Sequence, residues 1–128
     1  MSRRHVISLP AIFAGLTGFA LVSWWAATLL DGLPTDIRPA QQQASHVAAE
    51  LILAVALLVG AVLYGRGARS GRLVLSAALG ALVYASVNVL SDFPQSRVMT
   101  VLLAGAAGLS AAVLVIVVFG SEPRRDRR

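Results

Sequence analysis

The stretch HVAAELILAVALLVGAVLYGRGARSGR, residues His46 to Arg72, decides the fold of this chain. It joins an apolar segment, which carries one histidine and one glutamate near its beginning, to a turn rich in glycine and arginine. The apolar segment is long enough to cross a hydrocarbon core of about 30 Å. A short Gly/Ser/Arg connection is typical of antiparallel neighbouring helices. The stretch therefore predicts a membrane-spanning helix that is followed at once by a returning one.

The composition of the whole chain supports this interpretation. Of its 128 residues, 57% are apolar and 13% are charged, whereas soluble globular domains are about a quarter charged. We therefore predict an all-α, integral membrane four-helix bundle, with residues 1–128 forming a single transmembrane domain. The helices are expected at about residues 6–30, 44–64, 73–91 and 98–119, followed by a basic cytoplasmic tail at 120–128.

The basic residues predict how the chain is oriented. All 11 are arginines, and all except Arg38 and Arg97 lie in the three segments that a four-pass chain places on one side of the membrane. These are Arg3, Arg4, Arg66, Arg69, Arg72, Arg124, Arg125, Arg127 and Arg128. Because arginine-rich segments stay in the cytoplasm, both termini are expected inside. The formal net charge of +5 then reflects topology and attraction to anionic lipids, and we expect no nucleic-acid partner.

Polar residues gather in the outer halves of the predicted helices. His46 and Glu50 are four residues apart and so share a face of the second helix. We predict an outward-opening, ligand-binding polar pocket, with Trp24 and Asp31 at its rim. Its six members are His46, Glu50, Tyr84, Asn88, Trp24 and Asp31.

A structural interpretation of Glu50 stands beside this functional one. A carboxylate at that depth costs on the order of 2 to 3 kcal/mol, so it must face the protein interior, pair with another group or take up a proton. Glu50 could simply form a hydrogen bond with Tyr84 or Asn88 and so hold the second helix to the third. The sequence leaves both alternatives open.

The sequence also excludes several kinds of chemistry. The chain has no cysteine, which excludes disulfides, iron–sulfur clusters and zinc–thiolate sites. Its two histidines, His5 and His46, are expected on opposite sides of the membrane, so we predict no metal site, no haem and no other cofactor. No serine or threonine is placed near a histidine and an acid in a way that suggests a nucleophile. We therefore assign no catalytic residue, and an enzyme ranks third among the functions considered.

The middle of the chain resembles the DoxX-like group of small four-helix bacterial membrane proteins. The resemblance covers residues 45–88. The residues that carry it are Ala49-Glu50-Leu51, Leu57-Leu58-Val59-Gly60, the basic turn from Arg66 to Arg72, and the small residues from Ala77 to Ala81. It implies a multi-pass protein of the bacterial inner membrane, acting as a subunit or accessory protein, in some members together with quinone-linked respiratory oxidoreductases. Only Glu50 is carried over as a matching position.

These observations favour a non-catalytic membrane protein, either a subunit or a binding module. Its outer-leaflet polar pocket would admit a lipid, a quinone or another small amphiphile. The alternative is an oligomeric small transporter in which Glu50 is the proton-coupling carboxylate, with Gly105 and Gly108 at the contact between copies. Besides the bilayer, the expected partners are a small hydrophobic ligand and either another membrane protein or a second copy of the chain.

The arginine pattern makes a prediction about topology. A fluorescent protein fused after Arg128 should fluoresce, and alkaline phosphatase fused at the same place should be inactive, because the carboxyl terminus is expected in the cytoplasm. Paired fusion assays in whole cells measure this. An active phosphatase fusion would contradict the predicted orientation of all four helices.

Overall fold

The computed structural model describes residues 8–32, 40–90 and 97–120, and the regular structure within these ranges is entirely helical. The four helices are α1 at Leu9–Asp31, α2 at Ala40–Gly65, α3 at Arg69–Leu90 and α4 at Arg97–Phe119. Each is long and apolar enough to cross a membrane. For the described part of the chain, the predicted all-α fold with four candidate membrane-spanning helices is confirmed.

Two helices begin earlier than the sequence predicts. Helix α2 begins at Ala40 rather than at residue 44, and α3 begins at Arg69 rather than at residue 73. Hydropathy marks only the part of a helix that suits lipid, whereas the backbone hydrogen bonds continue through the polar residues at its ends. Arg38, the arginines at both termini and residues 121–128 of the predicted tail lie outside the described residues.

The turn between α2 and α3 is only three residues long, from Arg66 to Ala68. The amide of Gly67 donates to the carbonyl of Tyr64 at 2.9 Å, and the amide of Ala68 donates to that of Leu63 at 2.9 Å. This pair of bonds is the Schellman motif, which satisfies carbonyls that the end of a helix leaves without partners. Gly67 has a φ of 70°, a conformation in which glycine has no steric penalty. The chain therefore reverses direction as tightly as predicted.

The chain divides into two compact units, Met1–Ala78 and Leu79–Arg128. The first contains α1, α2 and the beginning of α3, where a methyl group added to Gly60 would lie 3.0 Å from the Cα of Leu75. The second contains the rest of α3 together with α4. Helix α4 buries Ser110, Val113 and Val117, and the Ser110 hydroxyl donates to the carbonyl of Ala106 at 2.6 Å.

Helices α1 and α2 pack closely because a small residue lies at their contact. A methyl group added to Gly18 would lie 2.9 Å from the carbonyl oxygen of Ala54 and 2.9 Å from the Cγ of Leu58. One heptad away, Gly65 lies against Ala11. A methyl group built on Gly65 would lie 3.8 Å from the Cβ of Ala11. Moving seven residues back along α1 and seven residues forward along α2 thus leads from one contact to the next, as an antiparallel heptad register requires.

The faces that point away from this contact are apolar and exposed. They include Phe19, which is 66% exposed, and Ile52, which is 70% exposed. Bulky apolar side chains on the surface are unfavourable in water, but they are at home among acyl chains. The exposed faces therefore agree with a lipid environment.

The Gly18 contact can be tested with a matched pair of substitutions on α1. Gly18→Ala should make the protein about 1–3 kcal/mol less stable than Gly15→Ala, because its methyl group is forced against backbone. A methyl group on Gly15 meets only the Cβ of Ala61, at an ordinary 3.8 Å. Both changes add the same helix propensity. Unfolding in detergent micelles measures the difference, and equal stabilities would refute the close contact.

Candidate functional site

Glu50 is a carboxyl group well inside a candidate membrane-spanning helix. It lies eight residues beyond Gln42, where the apolar span of α2 begins, which is about 12 Å along the helix axis. Its side chain is only 16% exposed. A carboxylate in this position needs hydrogen-bond donors from the protein, because lipid offers none.

The first donor is Trp25 of α1. Its indole Nε1 donates to Oε2 of Glu50 at 2.6 Å, which is short for a nitrogen donor and typical of a charged acceptor. The tryptophan is 7% exposed, so its ring covers the carboxylate from the α1 side. This hydrogen bond joins α1 to α2.

The second partner is His46, one turn before Glu50 on α2. Its Nε2 lies 3.1 Å from Oε1 of Glu50, and its side chain is 28% exposed. The imidazole also meets the Trp25 ring nearly edge to face, with centroids 6.1 Å apart and planes at 80°, an arrangement that aromatic rings favour. Both oxygens of Glu50 therefore have partners, and the three side chains form one cluster, called here the Trp25–Glu50–His46 cluster.

The register of α1 and α2 explains why these residues meet. Gly18 packs against Leu57, and a methyl group on Gly18 would lie 3.3 Å from the leucine Cβ. Seven residues forward on α1 lies Trp25, and seven residues back on α2 lies Glu50. Ala14, Gly18 and Trp25 share the buried face of α1, and this face excludes the neighbouring Trp24.

Sequence reasoning missed Trp25 as a member of the site and named its neighbour Trp24 instead. The spacing of Ala14, Gly18 and Trp25 was the signal that could have found it. Gln43 was missed as well. It is 8% exposed and precedes His46 by three residues, so Gln43, His46 and Glu50 form a continuous polar stripe on α2.

The other predicted pocket residues are more exposed. Trp24 is 67% exposed, and Asp31 is exposed at the last position of α1. Tyr84 is 72% exposed and Asn88 is also exposed; both belong to the second unit. Of the six predicted residues, the structure brings His46 and Glu50 together in the first unit, with Nε2 of His46 lying 3.1 Å from Oε1 of Glu50. A shared pocket with the other four stays a prediction.

The glutamate thus holds α2 to α1, through the hydrogen bond from Trp25. The structural alternative, in which Glu50 bonds Tyr84 or Asn88 and holds the second helix to the third, stays a prediction. The contact with His46 lies within α2 and adds no further helix.

The cluster is suited to hydrogen bonding rather than to metal binding. Within the described residues, no group of three or more histidine, cysteine, aspartate or glutamate side chains could hold a metal ion.

Deeper along the interface between α1 and α2, the buried residues of α2 are the apolar Leu53, Ala54 and Leu57. The polar stripe therefore ends at Glu50.

No known protein family, curated protein or solved structure matches this chain. The resemblance to the DoxX-like group therefore stays a prediction.

The role of Trp25 can be tested against its neighbour. Trp25→Phe should destabilise the protein by about 1–3 kcal/mol, because it leaves Oε2 of Glu50 without its donor in a buried position. Trp24→Phe, on the exposed face, should change the stability by less than about 0.5 kcal/mol. Thermal and denaturant unfolding in the same detergent measure both. Equal losses for the two variants would show that the hydrogen bond contributes nothing specific.

Proposed function

We propose that this chain is a non-catalytic membrane protein, a binding module or subunit, that holds a lipid, a quinone or another small amphiphile at the Trp25–Glu50–His46 cluster. The observation that carries the proposal is the carboxylate of Glu50, which has partners in Trp25 and His46. It lies at the depth where the polar group of a membrane-bound amphiphile would lie. It is 16% exposed and lies beside an imidazole that is 28% exposed. A ligand that reaches His46 therefore meets a polar group already held in place by the protein.

The exposure of the cluster supports an approach from the His46 side. Trp25 is almost fully buried, Glu50 is slightly exposed and His46 is the most exposed of the three. Amphiphile sites combine apolar walls with a few fixed polar groups that orient the ligand. The tail of the ligand would lie among the acyl chains beside α2, while its polar end meets the imidazole.

The proposed location is the outer leaflet of the bacterial inner membrane, with both termini in the cytoplasm. Arg66 and Arg69 are exposed at the turn between α2 and α3, and the Trp25–Glu50–His46 cluster lies toward the opposite end of α2. Under the positive-inside rule, the arginine turn is cytoplasmic, so the cluster opens outward.

Partnership with another membrane protein, or with a second copy, is part of the same proposal. The DoxX-like resemblance implies a subunit or accessory role. Gly105 and Gly108 are exposed on α4, and within the described part of the chain a methyl group built on either would point into open space. Small residues of this kind let a neighbouring helix approach closely in a membrane.

The alternative, an oligomeric small transporter with Glu50 as the proton-coupling carboxylate, has less support. The contact between His46 and Glu50 could share a proton, which favours it. However, proton transfer across the membrane needs further polar groups, and the buried residues beyond Glu50 on α2 are apolar. Under this alternative, Glu50→Gln would abolish flux driven by a pH gradient in liposomes, whereas a binding module would drive no such flux.

Co-purification tests the proposed binding function. The wild type, Glu50→Gln and the control Ser45→Ala should be purified from the same membranes in mild detergent, and their extracts compared by mass spectrometry. Wild type and control should retain one class of amphiphile in stoichiometric amount. Glu50→Gln should retain it several-fold less while still folding, because its amide oxygen can still accept from Trp25.

A further variant defines the result that would overturn the proposal. Glu50→Leu removes the polar group and fills the space with an apolar side chain of similar size. If this variant were more stable to heat and retained the same amphiphiles as the wild type, the cluster would serve helix packing alone.

A further inference from the structure

The indole of Trp25 determines which oxygen of Glu50 can carry a proton. An indole N–H can donate a hydrogen bond but cannot accept one. Since Nε1 of Trp25 lies 2.6 Å from Oε2 of Glu50, Oε2 acts as the acceptor, and an oxygen that carries no proton is the better acceptor. Any proton between Glu50 and His46 therefore lies on the line from Oε1 to Nε2, which are 3.1 Å apart.

The position of that proton sets the tautomer of His46. The 2.6 Å bond from Trp25 is typical of a charged acceptor, so Glu50 acts as a carboxylate and the proton on the line to His46 belongs to Nε2. In a neutral imidazole with a proton on Nε2, the other nitrogen, Nδ1, is an acceptor. Within the described part of the chain, the contacts of His46 are the 3.1 Å approach of its Nε2 to Oε1 of Glu50 and the edge-to-face contact of its ring with Trp25, and neither is a hydrogen bond to Nδ1.

We infer that the site selects amphiphiles whose polar end carries a hydroxyl group, because the hydrogen-bonding capacity that His46 keeps for a ligand is that of an acceptor. This inference rests on the proposed binding function and names the ligand chemistry of the same site. A phenol or an alcohol donates to Nδ1. An ether or a ketone of the same shape has no proton to donate and leaves Nδ1 unsatisfied.

The same geometry makes Glu50→Gln an informative variant. The amide oxygen of glutamine must face Trp25, because the amide nitrogen would meet the indole donor to donor. The amide NH₂ then faces Nε2 of His46, which becomes an acceptor, and the imidazole proton moves to Nδ1. The nitrogen that meets the ligand changes from acceptor to donor, although the side chains keep their shape.

The tautomer can be measured without any ligand. In wild-type protein with ¹⁵N-labelled histidine, the ring nitrogen shifts should show the proton on Nε2 throughout the pH range in which His46 is neutral. In Glu50→Gln they should show it on Nδ1. The spectrum of His5→Gln assigns the signals, since these are the two histidines of the chain. A wild-type proton on Nδ1, or a His46 that is never neutral, would overturn the inference.

Binding uses para-decylphenol and its methyl ether as probes, in the same detergent and the same pH range. The wild type and Ser45→Ala should bind the phenol on the order of 3- to 10-fold more tightly than the ether, the worth of one hydrogen bond. In Glu50→Gln this ratio should fall to about one, mainly through weaker binding of the phenol. Comparing ratios between variants cancels the different partitioning of the two probes into micelles.

The outcomes separate this inference from the function it rests on. Equal binding of phenol and ether by the wild type would overturn the hydroxyl selection and leave the binding function standing. Binding of neither probe, with the tautomer as expected, would overturn both. A phenol preference that persists in Glu50→Gln would show that another group reads the hydroxyl, and the inference would then be wrong.

Discussion

A carboxyl group surrounded by hydrocarbon must obtain its hydrogen bonds from the protein, and in the first unit the arrangement of α1 and α2 at their Glu50 end follows from this constraint. Glu50 has one donor on the other helix and one partner on its own. The indole must lie at the same depth as the carboxylate, which limits how far α1 can slide along α2. With an apolar residue at position 50, packing alone would determine how far α1 slides along α2. Leucine and valine side chains can pack at many such positions.

Close approach and polar pairing are consistent with each other in this helix pair. Gly18 allows the backbones to come near, and the heptad spacing carries the same register forward along α1 to Trp25 and back to Ala11. A larger residue at position 18 would separate the helices and lengthen the Trp25 to Glu50 hydrogen bond one heptad away. Packing and hydrogen bonding thus specify one register together, a consistency that is expected of a sequence that folds to a single structure.

Much of this fold could be predicted from the sequence, and the reason is that lipid imposes simple rules. Hydropathy located all four helices within a few residues, and it failed where α2 and α3 extend into polar sequence at Ala40 and Arg69. The site was harder. The spacing of His46 and Glu50 is local and could be read directly, whereas the choice between Trp24 and Trp25 depends on which face of α1 meets α2. That face follows from Gly18, a residue without a side chain, so a search among polar residues does not find it.

The short turn at Arg66 to Ala68 has a consequence for how the protein enters the membrane. Three residues extend over roughly 10 Å, far less than the thickness of the hydrocarbon core. Two spanning helices joined by so short a turn must therefore cross the membrane side by side and in opposite directions. Reversal of one helix during biosynthesis would compel reversal of the other, so a single decision by the insertion machinery settles the direction of both.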